Sequence, residues 1–314
     1  MSRICLFAVF LMGVVFSGCT AISQSPAGPW ESTLHREHPL TGTLWQVSAN
    51  RQISVQEALA LLGASHVAIL GEKHDNPDHH RLQTFVLEAL ADRGELAKVS
   101  FEMLDSGQSA ALASLTPQDW ASESRLKEQL QWDEEGWEWA FYGPMLSALL
   151  ERDIPVRAAN IARDEMMAIY GGTLDPAVES RLNEEQREKL HQDIDESHCG
   201  MLPASQFPAM VRVQQSRDAA MANSLMSDAE LSGVRVLIAG NFHARRDLCV
   251  PNYLTLNEED ILSLAFVEVQ PSLMSLDAYL EAFSSIVPYD LVWFTPAVEE
   301  QDYCAQMTGS GAQQ

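Results

Sequence analysis

Two short apolar runs, far apart in the chain, end in the same way. His66-Val67-Ala68-Ile69-Leu70 runs into Gly71-Glu72-Lys73-His74, and Val234-Arg235-Val236-Leu237-Ile238-Ala239 runs into Gly240-Asn241-Phe242-His243. An unbroken apolar run closed by turn residues reads as a strand buried on both faces. After the first run, Asn76-Pro77-Asp78 carries a helix start: an N-cap residue, a proline at the first helical position and an acid in the first turn. Each Gly-x-x-His therefore stands where a strand stops and a connection begins. In an open α/β sheet that edge is where ligands bind.

The rest of the chain fits a sheet of this kind. Further strands are expected at 43–47, 97–101, 154–159, 262–269 and 291–294. Helices are expected at 54–62, from Pro77 to about Arg93, after Pro117, and within 132–150. Strands alternating with helices predict an α/β fold, a mainly parallel sheet with helices on both faces. From Arg163 to Met226 the pattern is almost wholly helical, broken at His198-Cys199-Gly200 and Pro203. This block is expected to form a helical insert or cap over one edge of the sheet.

The address comes from the first residues. Arg3 and the apolar stretch 4–16 make residues 1–18 a signal peptide, too short to span a bilayer as a mature helix. Phe16-Ser17-Gly18-Cys19 resembles a bacterial lipobox, in which cleavage leaves Cys19 as a lipidated, palmitate-bearing N-terminus; an ordinary signal peptide with a chance cysteine is the plainer alternative. Several acyl chains on one residue anchor firmly where a single chain does not. Thr20, rather than the Asp usual in lipoproteins kept at the inner membrane, favours a periplasm-facing outer-membrane lipoprotein. A lipidated tether is expected over 19–40, Ser/Pro/Gly/Ala-rich at 20–33, then one domain over 41–304 and a disordered tail at 305–314. With Cys5 removed and Cys19 lipidated, Cys199, Cys249 and Cys304 allow one disulfide and one free thiol, pairing open. The 44 acids against 20 bases give a net charge of −24, which repels phosphate backbones and argues against nucleic acid as a partner.

Candidate chemistry gathers at strand ends: Glu72 and His74, Glu102, Asn160 and His243. Burying that many ionisable groups together is costly unless a ligand, a metal or a reaction compensates. Singly, each has a plainer role: a strand-end His as a satisfied structural residue, Glu72 as an anion complementing the helix dipole. His79-His80 reads as a solvated helix start, and His198 and Tyr170 lie at breaks in the helical block. As an enzyme, the chain would use Glu72, His74, Glu102 and His243 as divalent metal ligands or as acid and base. No Gly-x-Ser-x-Gly, His-Glu-x-x-His, Walker loop or Cys-x-x-Cys-His is present.

Several segments in matching order resemble the ChaN-like haem-binding lipoproteins, of the wider Tiki/TraB and erythromycin-esterase group. They are Leu70-Gly71-Glu72-Lys73-His74-Asp75-Asn76-Pro77, Phe101-Glu102-Met103, Ala158-Ala159-Asn160, Gln215-Ser216-Arg217-Asp218-Ala219-Ala220-Met221-Ala222, and Ala239-Gly240-Asn241-Phe242-His243 with Val250-Pro251. The resemblance implies an iron-regulated protein of haem uptake binding non-covalent haem. An outer-membrane haem receptor and a second copy of the chain are its candidate partners. Within it His74, Tyr170, His198 and His243 are candidate haem-binding residues. Arg163, with Arg245 and Arg246, would meet the propionates, and the aromatic stretch 132–142 would suit a porphyrin face or core packing alike. Cys249 departs from the family pattern, which carries Gly there. The resemblance favours binding over turnover; a metal-dependent hydrolase or protease is the alternative it also implies.

Overall fold

The computed structural model describes Pro26, residues 28–228, 230–282 and 288–299, and Cys304. The signal peptide, Cys19 and the 305–314 tail lie outside these residues. The strands are β1 (Leu44–Gln46), β2 (Arg51–Ile53), β3 (Val67–Glu72), β4 (Leu96–Asp105), β5 (Val156–Asn160), β6 (Val234–Gly240), β7 (Ile261–Glu268) and β8 (Leu291–Thr295). The helices are α1 (Val55–Ala64), α2 (Pro77–Asp92), α3 (Ser109–Ser114), α4 (Pro117–Trp120), α5 (Glu123–Leu130), α6 (Trp139–Glu151), α7 (Arg163–Gly171), α8 (Pro176–Glu179), α9 (Glu184–Ser197), α10 (Phe207–Met226) and α11 (Leu276–Ala282). Among the described residues no helix is long and apolar enough to cross a membrane.

The strands form one sheet in the order β2-β1-β8-β7-β3-β6-β4-β5. β8 to β5 run parallel; β1 pairs antiparallel with β2 and β8. β3 and β6 are neighbours in register, with Gly71 opposite Ala239 and Glu72 opposite Gly240. All residues of both strands are buried, as an apolar run covered on two faces requires. Ala68 and Leu70 face a core shared with α1, α2, α5 and α6, while Val67 and Ile69 face the core under α9 and α10. The expected mainly parallel sheet with helices on both faces is the observed one.

The 163–226 block does more than overhang an edge. α10 packs on the sheet face across β4, β5 and β6, and α7 and α9 pack on α10. Lys98, a cation in the middle of β4 with no exposed side-chain surface, explains how α10 is held at its far end. Its Nζ donates to the Ser224 carbonyl (2.7 Å) and the Ser227 hydroxyl (2.8 Å), as well as to the Ser227 carbonyl. Orphan carbonyls at a helix C-terminus need such donors.

Within the segment expected as tether, the chain from Glu31 on is bonded to the domain: the Glu31 and Ser32 amides donate to Asp78 (3.1 and 2.9 Å), Ser32 Oγ lies 3.1 Å from Asn76 Oδ1, and Leu34 bridges Ala297. β2 and α11 are short elements with no periodic signal of their own. Replacing Lys98 by Met should leave carbonyls at the end of α10 unmet and lower stability by about 1–3 kcal/mol, measured as a fall in the urea unfolding midpoint.

Candidate functional site

The two motif glycines make room for each other's motif. A Cβ on Gly71 would lie 2.6 Å from Asn241 Oδ1 and 3.1 Å from its Cα; a Cβ on Gly240 would lie 2.9 Å from His74 Nε2. Glycine is required here for close approach rather than for an unusual φ. His74 and His243 are thereby brought to one rim.

Two acid-centred clusters sit on that rim. In the first, Glu72 at the end of β3 accepts from Tyr142 Oη (2.5 Å) and from His74 Nδ1 (2.9 Å), and its other oxygen lies 3.1 Å from His80 Nδ1. Burial pushes the Glu72 carboxyl up, but His80 and His74 outweigh it and hold it at about 2. His80 is stacked on Phe141, and its Nε2 donates to the His74 carbonyl (2.9 Å). In the second cluster, Glu102 on β4 accepts from the Gly240 amide (2.8 Å) and from Arg217 on α10 (2.6 Å), and it lies 3.2 Å from His243 Nε2. His243 Nδ1 lies 2.6 Å from Asp218. Burial opposes a charge on His243, yet Glu102 and then Asp218 raise its pKa to about 9. Burial pushes the Asp218 carboxyl up despite His243, so Glu102 is the firmer counter-charge.

His79 and His80 are buried, contrary to the reading of a solvated helix start. His79 Nδ1 accepts from the Lys73 amide (2.9 Å) and Nε2 meets Thr295 Oγ1 (2.8 Å); burial keeps its pKa well below the usual range. Most of the aromatic stretch is core: Trp132, Trp139 and Tyr142 are buried among the α2–α6 packing, while half-buried Trp137 meets His74 edge-on.

Between this rim and the helices α7, α9 and α10 lies a cavity of about 970 Å³. Glu72, His74, Glu102, His243, Tyr170 and His198 all line it. Arg163 does not; it lies in an adjoining cleft of about 490 Å³ that shares Glu102, Met166 and Arg217 with the cavity. Arg245 is bound to Asp193 and Asp247, and Arg246 to Asp290, so neither lines the cavity.

The imidazoles differ in what they can offer. Both ring nitrogens of His243 face carboxylates and both of His79 meet protein groups, which leaves neither free to ligate a guest. His198 caps the end of α9, and its Nδ1 donates to the Ile194 carbonyl (2.7 Å). In the neutral ring that bond leaves Nε2 with its lone pair, the arrangement by which proteins present a metal-ligating histidine. Among the described residues no three His, Cys, Asp or Glu side chains are placed to hold a bare metal ion; the acids and imidazoles are spent on one another. Cys249 is buried and its φ of −111° lies outside the left-handed region that favours glycine.

Sequence reasoning missed Tyr142, Arg217 and Asp218 as members of the site. Asp218 left a trace: an acid on the face of α10 that carries Ala219, Ala222 and Leu225 into the core. Tyr142 left none, since its stretch reads as core. The charge on His243 has a measurable consequence. Its folded pKa of about 9 stands above the ordinary 6.5, so its share of stability is complete below pH 6.5 and lost as pH rises through 9. The thermal midpoint should fall across that interval, and His243→Gln should flatten this alkaline limb while lowering stability throughout.

The architecture matches a solved structure. ChaN of Campylobacter jejuni, solved with cofacial haem binding, is 22% identical, with 80% of this chain and 95% of that chain covered and a TM-score of 0.64. An erythromycin esterase EreC mutant in its open conformation is 14% identical over 86% of each chain, with a TM-score of 0.43. No curated protein matches. Residues 58–254 match the model of the family described as haem-binding uptake, Tiki superfamily, ChaN, and to that family this chain belongs.

Proposed function

We propose that this chain is a periplasm-facing, outer-membrane lipoprotein of haem and iron uptake, and that it holds haem non-covalently in the cavity between the sheet rim and α7, α9 and α10. Family membership supports the haem, and His198 supports the place. Its Nδ1–H is fixed on the Ile194 carbonyl, and the ring borders the cavity together with Tyr170.

The residues present suit the group. The cavity is at the upper end of the roughly 300–1,000 Å³ typical of small-molecule sites. Met166, Met210, Val213 and Phe242 give it apolar walls for a macrocycle. Histidine and tyrosine are both protein ligands of haem iron. Iron, when bound, supplies the coordination that Tyr170 or His198 completes. His74, its Nδ1 held on Glu72 as that of His198 is held on Ile194, stays a candidate ligand beside them, and His243 serves as a buried cation that fixes Glu102 rather than as a ligand. Lys73 is paired with Asp75 and Glu268, and Arg217 with Glu102. Arg163, exposed at the first position of α7, is the cation this reading assigns to a propionate.

The membrane address rests on Cys19, with a lipobox-like segment before it and Thr20 after it. The Cys199–Cys304 disulfide supports an oxidising compartment. A second copy of the chain and an outer-membrane haem receptor are the partners this reading expects. One pair favours an enzymatic reading beside it: Glu72 orients His74 through Nδ1, as a carboxylate orients a general base. Turnover of an ester or peptide panel that disappears in His74→Ala would establish that activity.

Haemin titrated into the protein should give a shifted Soret band at one haem per chain. Tyr170→Phe or His198→Ala should weaken binding by roughly tenfold or more, about 1.4 kcal/mol. No Soret shift rejects haem; full affinity in both variants moves the ligand elsewhere. For the anchor, Cys19→Ser should release the protein from the membrane fraction, and a variant still partitioning with membranes would reject lipidation at that residue.

A further inference from the structure

Before β1 the chain forms a strap along one edge of the sheet. At its start the Pro26 carbonyl accepts from Arg81 of α2, whose guanidinium also sits over the Trp30 ring (5.4 Å) and pairs with Asp78 (3.2 Å). Asp78 takes the Glu31 and Ser32 amides, and Arg36 gathers the segment by donating to the carbonyls of Ser32 (2.6 Å) and Trp30 (2.9 Å). Asn76 links the strap to the sheet. Its Oδ1 meets Ser32 Oγ, and its Nδ2 donates to Glu268 at the end of β7 (2.8 Å) and to the Pro296 carbonyl beyond β8 (3.1 Å). Ser32, Asn76 and Asp78 are buried, so this mooring is part of the fold. It lies at the carboxyl ends of β3, β7 and β8. The cavity is built on that same edge, where Glu72, Glu102, His243 and Glu268 line it.

Cys19 precedes Pro26 by seven residues. At no more than about 3.6 Å per residue, these span at most about 25 Å whatever path they take. A compact domain of this size is roughly 50 Å across. A lipid on Cys19 therefore cannot reach round to the opposite, amino edge of the sheet, where Ser232 precedes β6. The net charge of −24 works in the same sense. It gives the body no attraction to an anionic leaflet, so the point of attachment decides which edge hangs nearest the lipid. We propose that the strap sets how the domain hangs, with the carboxyl edge of the sheet and the cavity on it turned toward the phospholipid surface. This rests on the lipid anchor at Cys19 proposed above. A guest entering or leaving the cavity then meets the headgroup layer before the bulk periplasm. An apolar macrocycle with two carboxylates is suited to such a layer, where its ring is shielded and its acids stay wet.

The test uses the full chain, purified from membranes and reconstituted into vesicles of phosphatidylethanolamine and phosphatidylglycerol that carry an acceptor dye on a fraction of the headgroups. A donor dye is attached through Asp75→Cys, exposed at the carboxyl edge, or through Ser232→Cys, exposed at the amino edge. Cys249 is fully buried and takes no label. Energy transfer should be several-fold greater from position 75 than from position 232. A flexible spacer of about twenty Gly and Ser residues lets the body turn. Inserted between Ser23 and Gln24, ahead of the mooring, it should remove most of that difference. Equal transfer from the two positions, or more from 232, overturns the proposal. So does a difference that survives the spacer, because the strap is then not its cause. If the chain without the spacer does not float with the vesicles and Cys19→Ser behaves identically, it is the anchor reading that fails.

Discussion

The Glu102 carboxylate holds four parts of the molecule in one place. It rises from β4, takes the amide of Gly240 at the end of β6, receives Arg217 from α10, and faces His243 beyond β6. Removing one partner from a buried ion pair typically costs about 3–5 kcal/mol, because the charge left behind has no water to turn to. The position of α10 over the sheet, and with it the width of the cavity, therefore hangs on electrostatics as much as on apolar packing. His243 and Arg217 act here as scaffolding cations. This explains why an imidazole at the rim of a ligand cavity can be unavailable to the ligand.

The cavity is built from two kinds of wall. One is the rim of a parallel sheet, where Glu72, Glu102 and His243 are each committed to several neighbours. The other is a set of helices whose facing residues include methionines, a tyrosine and a capping histidine, few of them engaged with the rim. Rigidity lies on the first wall and adaptability on the second. A bulky planar guest would be received by side chains that can shift, against a floor that cannot. Methionine suits that role, being unbranched and polarizable.

Much of the first wall was legible in the sequence, and less of the second. Apolar runs closed by Gly-x-x-His announced β3 and β6 because burial on two faces leaves no polar residue to blur the pattern. Asn76-Pro77 announced α2 because caps act locally. What lies between distant elements was not legible: that Asp218 reaches His243, that Tyr142 reaches Glu72, and that Arg245 is occupied by Asp193. A charged residue carries no mark of whether its partner stands 3 Å away or is bulk water, so Arg245 and Arg246 look available in the sequence. His79 and His80 look solvated for the same reason, since a helix start is polar whether it faces solvent or a second layer. The docked segment from Glu31 on was hidden by its composition, because Ser, Pro and Gly serve a docked strap as well as a loose one.

The interlocked glycines carry a consequence for anyone rebuilding this protein. Gly71 admits Asn241, and Gly240 admits His74, so what reads as a motif occurring twice is mechanically one hinge-less joint in two halves. Neither half can be transplanted, enlarged or varied without its counterpart. The helices opposite could be varied to suit another guest only where Arg217 and Asp218 of α10, which meet Glu102 and His243, are kept.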